Sequence, residues 1–241
     1  MKFLFSILNR RKKAQCSAVI VAAGESSRMG GEDKLLAQIH GTPVLAHTIK
    51  VFQNSNCIKE IIVVTRKEAL ETVSAMCRIY GFSKVTKVIV GGKTRIESVT
   101  NGVYNVSKKS SIIAIHDGAR PCVSVDIITK TAQVAAKHHA AAPGVPVTST
   151  VKAVEKNIVQ KTISRENLYE IQTPQIFAVE LIKAALKKAN DAAMDITDDC
   201  GAVELIGAPV HVTEGCRTNI KLTTPEDFIF ATAILMKDDK D

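Results

Sequence analysis

SAVIVAAGESSRMGGEDK, residues 17–34, carries the reading of the fold. SAVIVAA is a short β-branched apolar run, which suits a strand buried on both faces of a parallel sheet. It runs into a turn of small residues, Gly24-Glu25-Ser26-Ser27, followed by Arg28 and Lys34. Such a turn at the carboxyl end of a strand lets backbone N–H groups approach an anion closely. The two cations then suit a nucleoside triphosphate, whose chemistry depends mostly on positioning and charge neutralisation. The same residues serve equally well as a helix start with two solvated cations. The turn is neither a P-loop nor a dinucleotide fingerprint, so by itself it leaves both readings open.

Outward from this point, strand-like and helix-like segments alternate. EIIVVT (60–65) reads as a strand and 66–80 as a helix ended by Gly81. Residues 84–90 read as a strand, 93–106 as a helix, 111–116 as a strand and 124–139 as a helix. Thr42-Pro43 reads as an N-cap and first-turn pair opening a helix to about Gln53. This rhythm predicts an α/β fold, doubly wound on a mostly parallel sheet. Ligands in such sheets bind at the carboxyl ends of the strands. The turns after residues 23, 91 and 116 are therefore expected on one rim, carrying Gly24–Arg28, Gly91–Arg95 and His116–Arg120. His116 is expected to pack beneath its loop.

The rhythm breaks between Pro146 and Thr173. VTSTVKAV and NIVQKTIS alternate with period two around Glu155-Lys156-Asn157, a hairpin pattern. A lone hairpin is marginal in water, so residues 146–172 are read as an inserted arm that packs on a second subunit. The expected organisation is a basic extension at 1–15 and one domain over 16–241.

Composition sets the remaining bounds. The chain has 241 residues, 46% hydrophobic and 23% charged, with 4% aromatics and no Trp. Ala, Val and Ile must fill the core. The net charge is +8, but Lys2, Arg10, Arg11, Lys12 and Lys13 supply five of those charges near the start. With no aromatic-interleaved basic stripe, nucleic acid is not expected as a partner. Cysteines 16, 57, 77, 122, 200 and 216 show no zinc-type spacing and are expected as reduced thiols in a cytoplasmic protein. The apolar run Phe3–Leu8 is too short to span a bilayer, and no stable membrane association is expected.

Eight motifs then occur in order: AAGESSRM (22–29) with Lys34, GGKTRIESV (91–99), HDGARP (116–121), Thr150 in TSTVK, Arg165 in SREN, TPQ (173–175), ITDD (196–199) and NIKLTTPED (219–227). On these the chain resembles the 2-C-methyl-D-erythritol 4-phosphate cytidylyltransferases, within the nucleotidyltransferases that activate sugar phosphates. The likeness runs from about residue 17 to 233. The resemblance implies transfer of a cytidylyl group from CTP to a sugar-alcohol phosphate with release of pyrophosphate, in isoprenoid precursor synthesis. It implies that Ala22, Ala23 and Gly24 line the nucleotide, and that Arg28 and Lys34 contact the triphosphate and act in catalysis. Gly92, Arg95 and Ser98 would surround the cytosine, and Asp117 would sit by a magnesium ion with Gly118 and Arg120 completing its loop. Thr150, Arg165, Thr173, Thr197 and Lys221 would hold methylerythritol phosphate, with Arg120 on the same side. It further implies a homodimer through the arm. Ser26, Leu35 and Ser149 depart from the family pattern. The competing readings are a ribitol-phosphate cytidylyltransferase and a non-catalytic nucleotide-binding protein. Asp198-Asp199 are read chiefly as caps of the helix that follows.

Overall fold

The computed structural model describes residues 15–24, 33–192 and 196–238. Arg28, Ser26 and residues 1–14 of the basic extension lie outside them.

β1 (Cys16–Ala22) is the centre of the molecule. It pairs in parallel with β4 (Ile58–Thr65) on one side and β6 (Ile112–Asp117) on the other, and β5 (Val85–Val90) continues in parallel from β4. Beyond β6 come β11 (Gln175–Ala178) and β7 (Ala140–Pro146), each antiparallel to its inner neighbour or partner. β10 (Tyr169–Ile171) pairs antiparallel with β7, and β12 (His211–Glu214) pairs in parallel with it. The result is a mostly parallel eight-stranded sheet.

The strand sequences explain why it is covered on both faces. Cys16, Ala18, Ile20 and Ala22 of β1 enter one hydrophobic core, and Val19 enters the other. Ile112 and Ala114 of β6 divide from Ile113 and Ile115 in the same way. The period-two alternation feeds two cores, so the middle positions of such a strand are apolar or small, and the polar residues of β6, His116 and Asp117, come at its carboxyl end. The first core is closed by α1 (Val44–Asn54), α2 (Leu70–Ile79), α4 (Val125–His138) and α7 (Pro225–Asp238). The second is closed by α3 (Arg95–Asn105), α5 (Val179–Asp191) and α6 (Asp199–Glu204). The doubly wound expectation is met, with element ends shifted by one to three residues. The helix expected over 66–80 divides into a 3-10 turn, Lys67–Ala69, and α2.

Gly102 lets α3 sit hard against the sheet. A Cβ there would lie 2.3 Å from Val19 Cγ1 and 3.0 Å from Val64 Cγ2. A mid-helix glycine costs about 1 kcal/mol against alanine. Here it permits the close packing that sets the height of the α3 N-terminus at the rim.

One helix start differs from expectation. Thr42-Pro43 is not the N-cap and first turn of α1 but a two-residue strand, β3, paired with β2 (Gln38–Ile39). His40 and Gly41, both at positive φ, make the turn between them. This pairing holds Pro43 extended at ψ 142°, so Pro43 becomes the N-cap and the helix begins at Val44.

The inserted hairpin is present as β8 (Val151–Glu155) and β9 (Ile158–Ile163), a separate two-stranded sheet. Lys156 and Asn157 both have positive φ, as a tight two-residue hairpin turn demands. The arm is shorter than the expected 146–172, because 169–171 return to the main sheet as β10. Val147 N–H donates to Leu168 O and closes its neck. All six cysteines are free. No described helix is long and apolar enough to cross a membrane.

Candidate active site

The carboxyl ends of β1, β4, β5 and β6 surround a cavity of about 620 Å³. Ala22, Ala23, Gly24, Lys34, Gly92, Arg95, Ser98, Asp117 and Lys221 all line it. Nine positions named from separate motifs thus converge on one rim, and the turns after residues 23, 91 and 116 meet there as the alternation of strands and helices implies.

The turn after β5 is rigid. Gly91 N–H donates to Thr65 O at 2.8 Å, Gly92 N–H to Ser98 Oγ at 3.1 Å, and Lys93 N–H to Glu97 Oε2 at 2.7 Å. Thr94 caps α3, its Oγ1 accepting from Glu97 N–H at 3.1 Å. Thr94 thereby satisfies the orphan Glu97 N–H, while the Glu97 carboxylate reaches back past the N-cap to Lys93 N–H. A Cβ on Gly91 would lie 2.6 Å from Ala23 Cβ, so glycine is what allows the β1 and β5 turns to touch. The Ser98 hydroxyl is committed inside the turn, donating to Thr94 O at 3.0 Å.

Asp117 ends β6 and meets three cations. Its carboxylate lies 2.9 Å from Lys221 Nζ, 3.6 Å from Arg120 Nε and 3.9 Å from Arg95 Nη2. Burial alone would raise its pKa, but the charges of Lys221, Arg95 and Arg120 outweigh burial and hold it at about 2. Arg120 is aimed by a 2.7 Å bond from Nη1 to Asn219 O. Lys34 Nζ reaches Leu222 O at 3.2 Å, which ties the β1 side of the rim to the segment carrying Lys221.

A buried polar chain supports this loop from below. His116 is fully buried, as expected. Burial lowers its pKa to about 3, so the ring is neutral. Nε2 lies 3.2 Å from Arg120 O, and Nδ1 lies 2.9 Å from Thr173 Oγ1. With the proton on Nε2, Nδ1 accepts from the Thr173 hydroxyl. That hydroxyl in turn accepts from Asp117 N–H at 3.2 Å. Thr173 is therefore brought to the Asp117 loop, but beneath it, with its side chain 4% exposed in the buried chain of bonds. Gly118 N–H donates to Val21 O at 2.8 Å and Gly118 O accepts from Thr48 Oγ1, also at 2.8 Å, so this glycine docks the loop onto β1 and α1.

Thr150, Arg165 and Thr197 are not among the residues lining the cavity. All three are exposed. Thr150 and Arg165 stand at the base of the arm, where Arg165 Nη1 donates to Thr148 O.

Sequence reasoning missed Asp199. Asp198 is a cap, accepting from Gly201 N–H at 2.9 Å. Asp199 instead takes two bonds from Arg95, Nη1 to Oδ1 at 2.9 Å and Nη2 to Oδ2 at 2.7 Å. Burial pushes the Asp199 carboxyl up and Arg95 opposes it. The bidentate geometry is that of guanidinium with carboxylate. Gln175 was also missed: its Oε1 accepts from Asp199 and Cys200 N–H groups and its Nε2 donates to Asp198. The signals were present in TPQ and ITDD, but nothing in their spacing from Arg95 joins them.

A model of the 2-C-methyl-D-erythritol 4-phosphate cytidylyltransferase family matches residues 16–237. The chain belongs to this family. It is 45% identical over 224 residues to the 2-C-methyl-D-erythritol 4-phosphate cytidylyltransferase of Caldanaerobacter subterraneus subsp. tengcongensis, covering 92% of this chain and 99% of that one. It is 41% identical over 225 residues to that of Halalkalibacterium halodurans, covering 93% and 98%. The crystal structure of the 4-diphosphocytidyl-2C-methyl-D-erythritol synthase from Anaerococcus prevotii superposes with a TM-score of 0.82 at 31% identity, over 92% of this chain and 96% of the other.

Proposed function

We propose that this rim carries out cytidylyl transfer from CTP to 2-C-methyl-D-erythritol 4-phosphate, releasing pyrophosphate for isoprenoid precursor synthesis. The observation that carries the reading is the set of cations Lys34, Arg95 and Lys221 lining a cavity floored by glycine-rich turns, with Arg120 behind them, 3.6 Å from Asp117. A phosphate oxygen of the sugar alcohol, already ionised near neutral pH, attacks the α-phosphorus of CTP in line, and pyrophosphate leaves. No general base is needed. His116 is neutral, buried and engaged at both nitrogens, and its part is to hold the Asp117 loop. Charge builds on the α-phosphate oxygens and the leaving group, so fixed cations do the catalytic work. Lys34 and Arg28 serve there, and Lys221 and Arg120 hold the acceptor phosphate.

The donor set fits a magnesium ion. Asp117 is a hard oxygen ligand kept ionised at the cavity wall, and Mg²⁺ usually takes one or two carboxylates plus substrate phosphate oxygens. Among the described residues no cluster of three ligating side chains exists to hold a metal without substrate. When bound, the ion would neutralise triphosphate charge.

Base choice follows from the β5 turn. Its N–H groups at Gly91, Gly92 and Lys93 are spent within the protein, so it offers a base chiefly carbonyl oxygens. These suit the exocyclic amine of cytosine and leave uracil, which presents an acceptor there, about 1–3 kcal/mol worse per unpaired buried group. Ser98 contributes by fixing the turn.

The arm supports a twofold homodimer. Val154, Ile158 and Val159 are more than half exposed on it. Thr150 and Arg165, at its base, then serve an acceptor site shared with the partner, and Thr197 is assigned to the same acceptor. The test is pyrophosphate release with CTP or UTP and with methylerythritol phosphate or ribitol phosphate. CTP with methylerythritol phosphate should exceed each alternative by at least about tenfold in kcat/KM. Equal use of UTP would refute the base argument, and preference for ribitol phosphate would refute the acceptor.

A further inference from the structure

Two helix starts meet behind the pocket. Arg95 opens α3 and Asp199 opens α6, 104 positions apart in the chain. The guanidinium stands between two carboxylates. It holds fully buried Asp199 through two direct hydrogen bonds, while its Nη2 lies 3.9 Å from Asp117 Oδ1. Asp199 is itself anchored, since its N–H and that of Cys200 donate to Gln175 Oε1 at 2.9 and 3.0 Å, and Gln175 is 1% exposed. The anchor runs through the backbone to β11, which pairs with β6 and thus with the strand that ends in Asp117.

We propose that Asp199 is a positioning residue for the transfer reaction: by holding Arg95 it limits the cationic charge on Asp117 and keeps that carboxylate available to a divalent cation. The inference rests on the reading of Asp117 as a metal ligand. Asp117 already faces Lys221 at 2.9 Å and Arg120 at 3.6 Å. A guanidinium bonded directly to Oδ1 would compete with a metal ion for the oxygen that Lys221 and Arg120 leave open. Arg95 needs to move only about 1 Å to become that partner, because guanidinium–carboxylate bonds close at about 2.7–2.9 Å. A partly buried guanidinium stripped of its carboxylate is costly, and among the described residues Asp117 is the other carboxylate that ion-pairs with Arg95. Asp199 therefore does for the metal site what an outer hydrogen-bond partner does for a ligating side chain: it acts through a residue that never touches the ion.

The test measures Mn²⁺ binding by electron paramagnetic resonance at saturating CTP, beside CTP binding without metal. Asp199→Asn should weaken Mn²⁺ about tenfold and leave metal-free CTP affinity within about threefold. Asp199→Glu, which keeps the charge, should recover most of the loss. Asp199→Asn combined with Arg95→Gln removes the competing cation, so Mn²⁺ affinity should return towards the parent. Arg95→Lys gives an arm independent of Asp199→Asn folding: a single ammonium held by Asp199 should leave Mn²⁺ bound at least as tightly as in the parent. The proposal is overturned by parental Mn²⁺ affinity in Asp199→Asn, by a double variant as weak as the single one, or by weaker binding in Arg95→Lys. Asp117→Asn separates the two levels. If it leaves Mn²⁺ affinity unchanged, the reading of Asp117 as a ligand fails. If it weakens Mn²⁺ and Asp199→Asn does not, only the positioning role of Asp199 fails.

Discussion

The rim pocket and the arm are built from the same chain by opposite means. At the rim, every residue of β6 is buried, and the charged side chains are locked by bonds to backbone and to one another. On the arm, β9 is exposed along nearly its whole length, and Ile158 and Val159 are more than half exposed. The rim carries its electrostatics preorganised, with desolvation cost already met by paired charges. The arm carries unburied apolar area, which gains free energy only when another surface covers it. The difference separates a region whose charges are already paired within the described subunit from one that gains free energy only against another surface.

The largest effect should come from the rim. Lys34→Ala should lower kcat by about 10²–10³, with a much smaller change in CTP affinity, read from steady-state kinetics beside direct CTP titration. Normal turnover with only a raised KM would contradict the catalytic assignment.

The second concerns acid stability, again a property of the rim. His116 titrates near 3 when folded and near 6.5 when unfolded. Between these values the unfolded state binds one proton more. Its contribution is therefore fully present above pH 6.5 and is lost as pH falls towards 3, at about 1.4 kcal/mol per unit. By pH 5 the loss should be about 2 kcal/mol. Asp117, held at about 2, adds its own loss only below about 3.8. Denaturant titrations of metal-free protein at pH 7 and 5 check this, and His116→Gln should flatten the difference. Arm variants should leave it untouched.

The arm gives the third. Val159→Asp places a charge on its exposed face. It should convert a dimer to monomer in sedimentation and lower kcat/KM for methylerythritol phosphate by about tenfold, while CTP binding holds. A parent that sediments as a monomer would remove the contrast between the two regions. The smallest effect tests how much the β5 turn owes to its cap. Thr94→Ala should cost about 1 kcal/mol, seen as a slightly lowered Tm, with a modest rise in KM for CTP and no change in the arm.

The legible part of this molecule was its periodicity. SAVIVAA, EIIVVT and SIIAIH carry apolar residues on both faces, which is how a central parallel strand must read, and the turns after residues 23, 91 and 116 could only gather at one end. The hairpin showed equally well, in its alternation and in the Lys156-Asn157 turn. Less visible was which polar groups would pair. Thr173 reads as a surface hydroxyl in a substrate motif, yet Pro174 and β11 carry it under the Asp117 loop, into the chain of bonds with His116. Thr42-Pro43 reads as a helix start because cap preferences are local, while the pairing with Gln38-Ile39 that moved the start is tertiary.

By itself, then, the sequence determined the fold class, the rim on which Lys34, Arg95, Asp117 and Lys221 gather, and the arm. Strand periodicity and turn chemistry act within a few residues of themselves, and the alternation of strand and helix implies a mostly parallel sheet. Only the tertiary structure decided that Arg95 would be shared between Asp199 and Asp117, that Gln175 would anchor Asp199, and that Ser98 would brace a turn. Those outcomes depend on distances between residues about a hundred positions apart in the chain, and on which charge loses least on leaving water. No local pattern encodes either quantity.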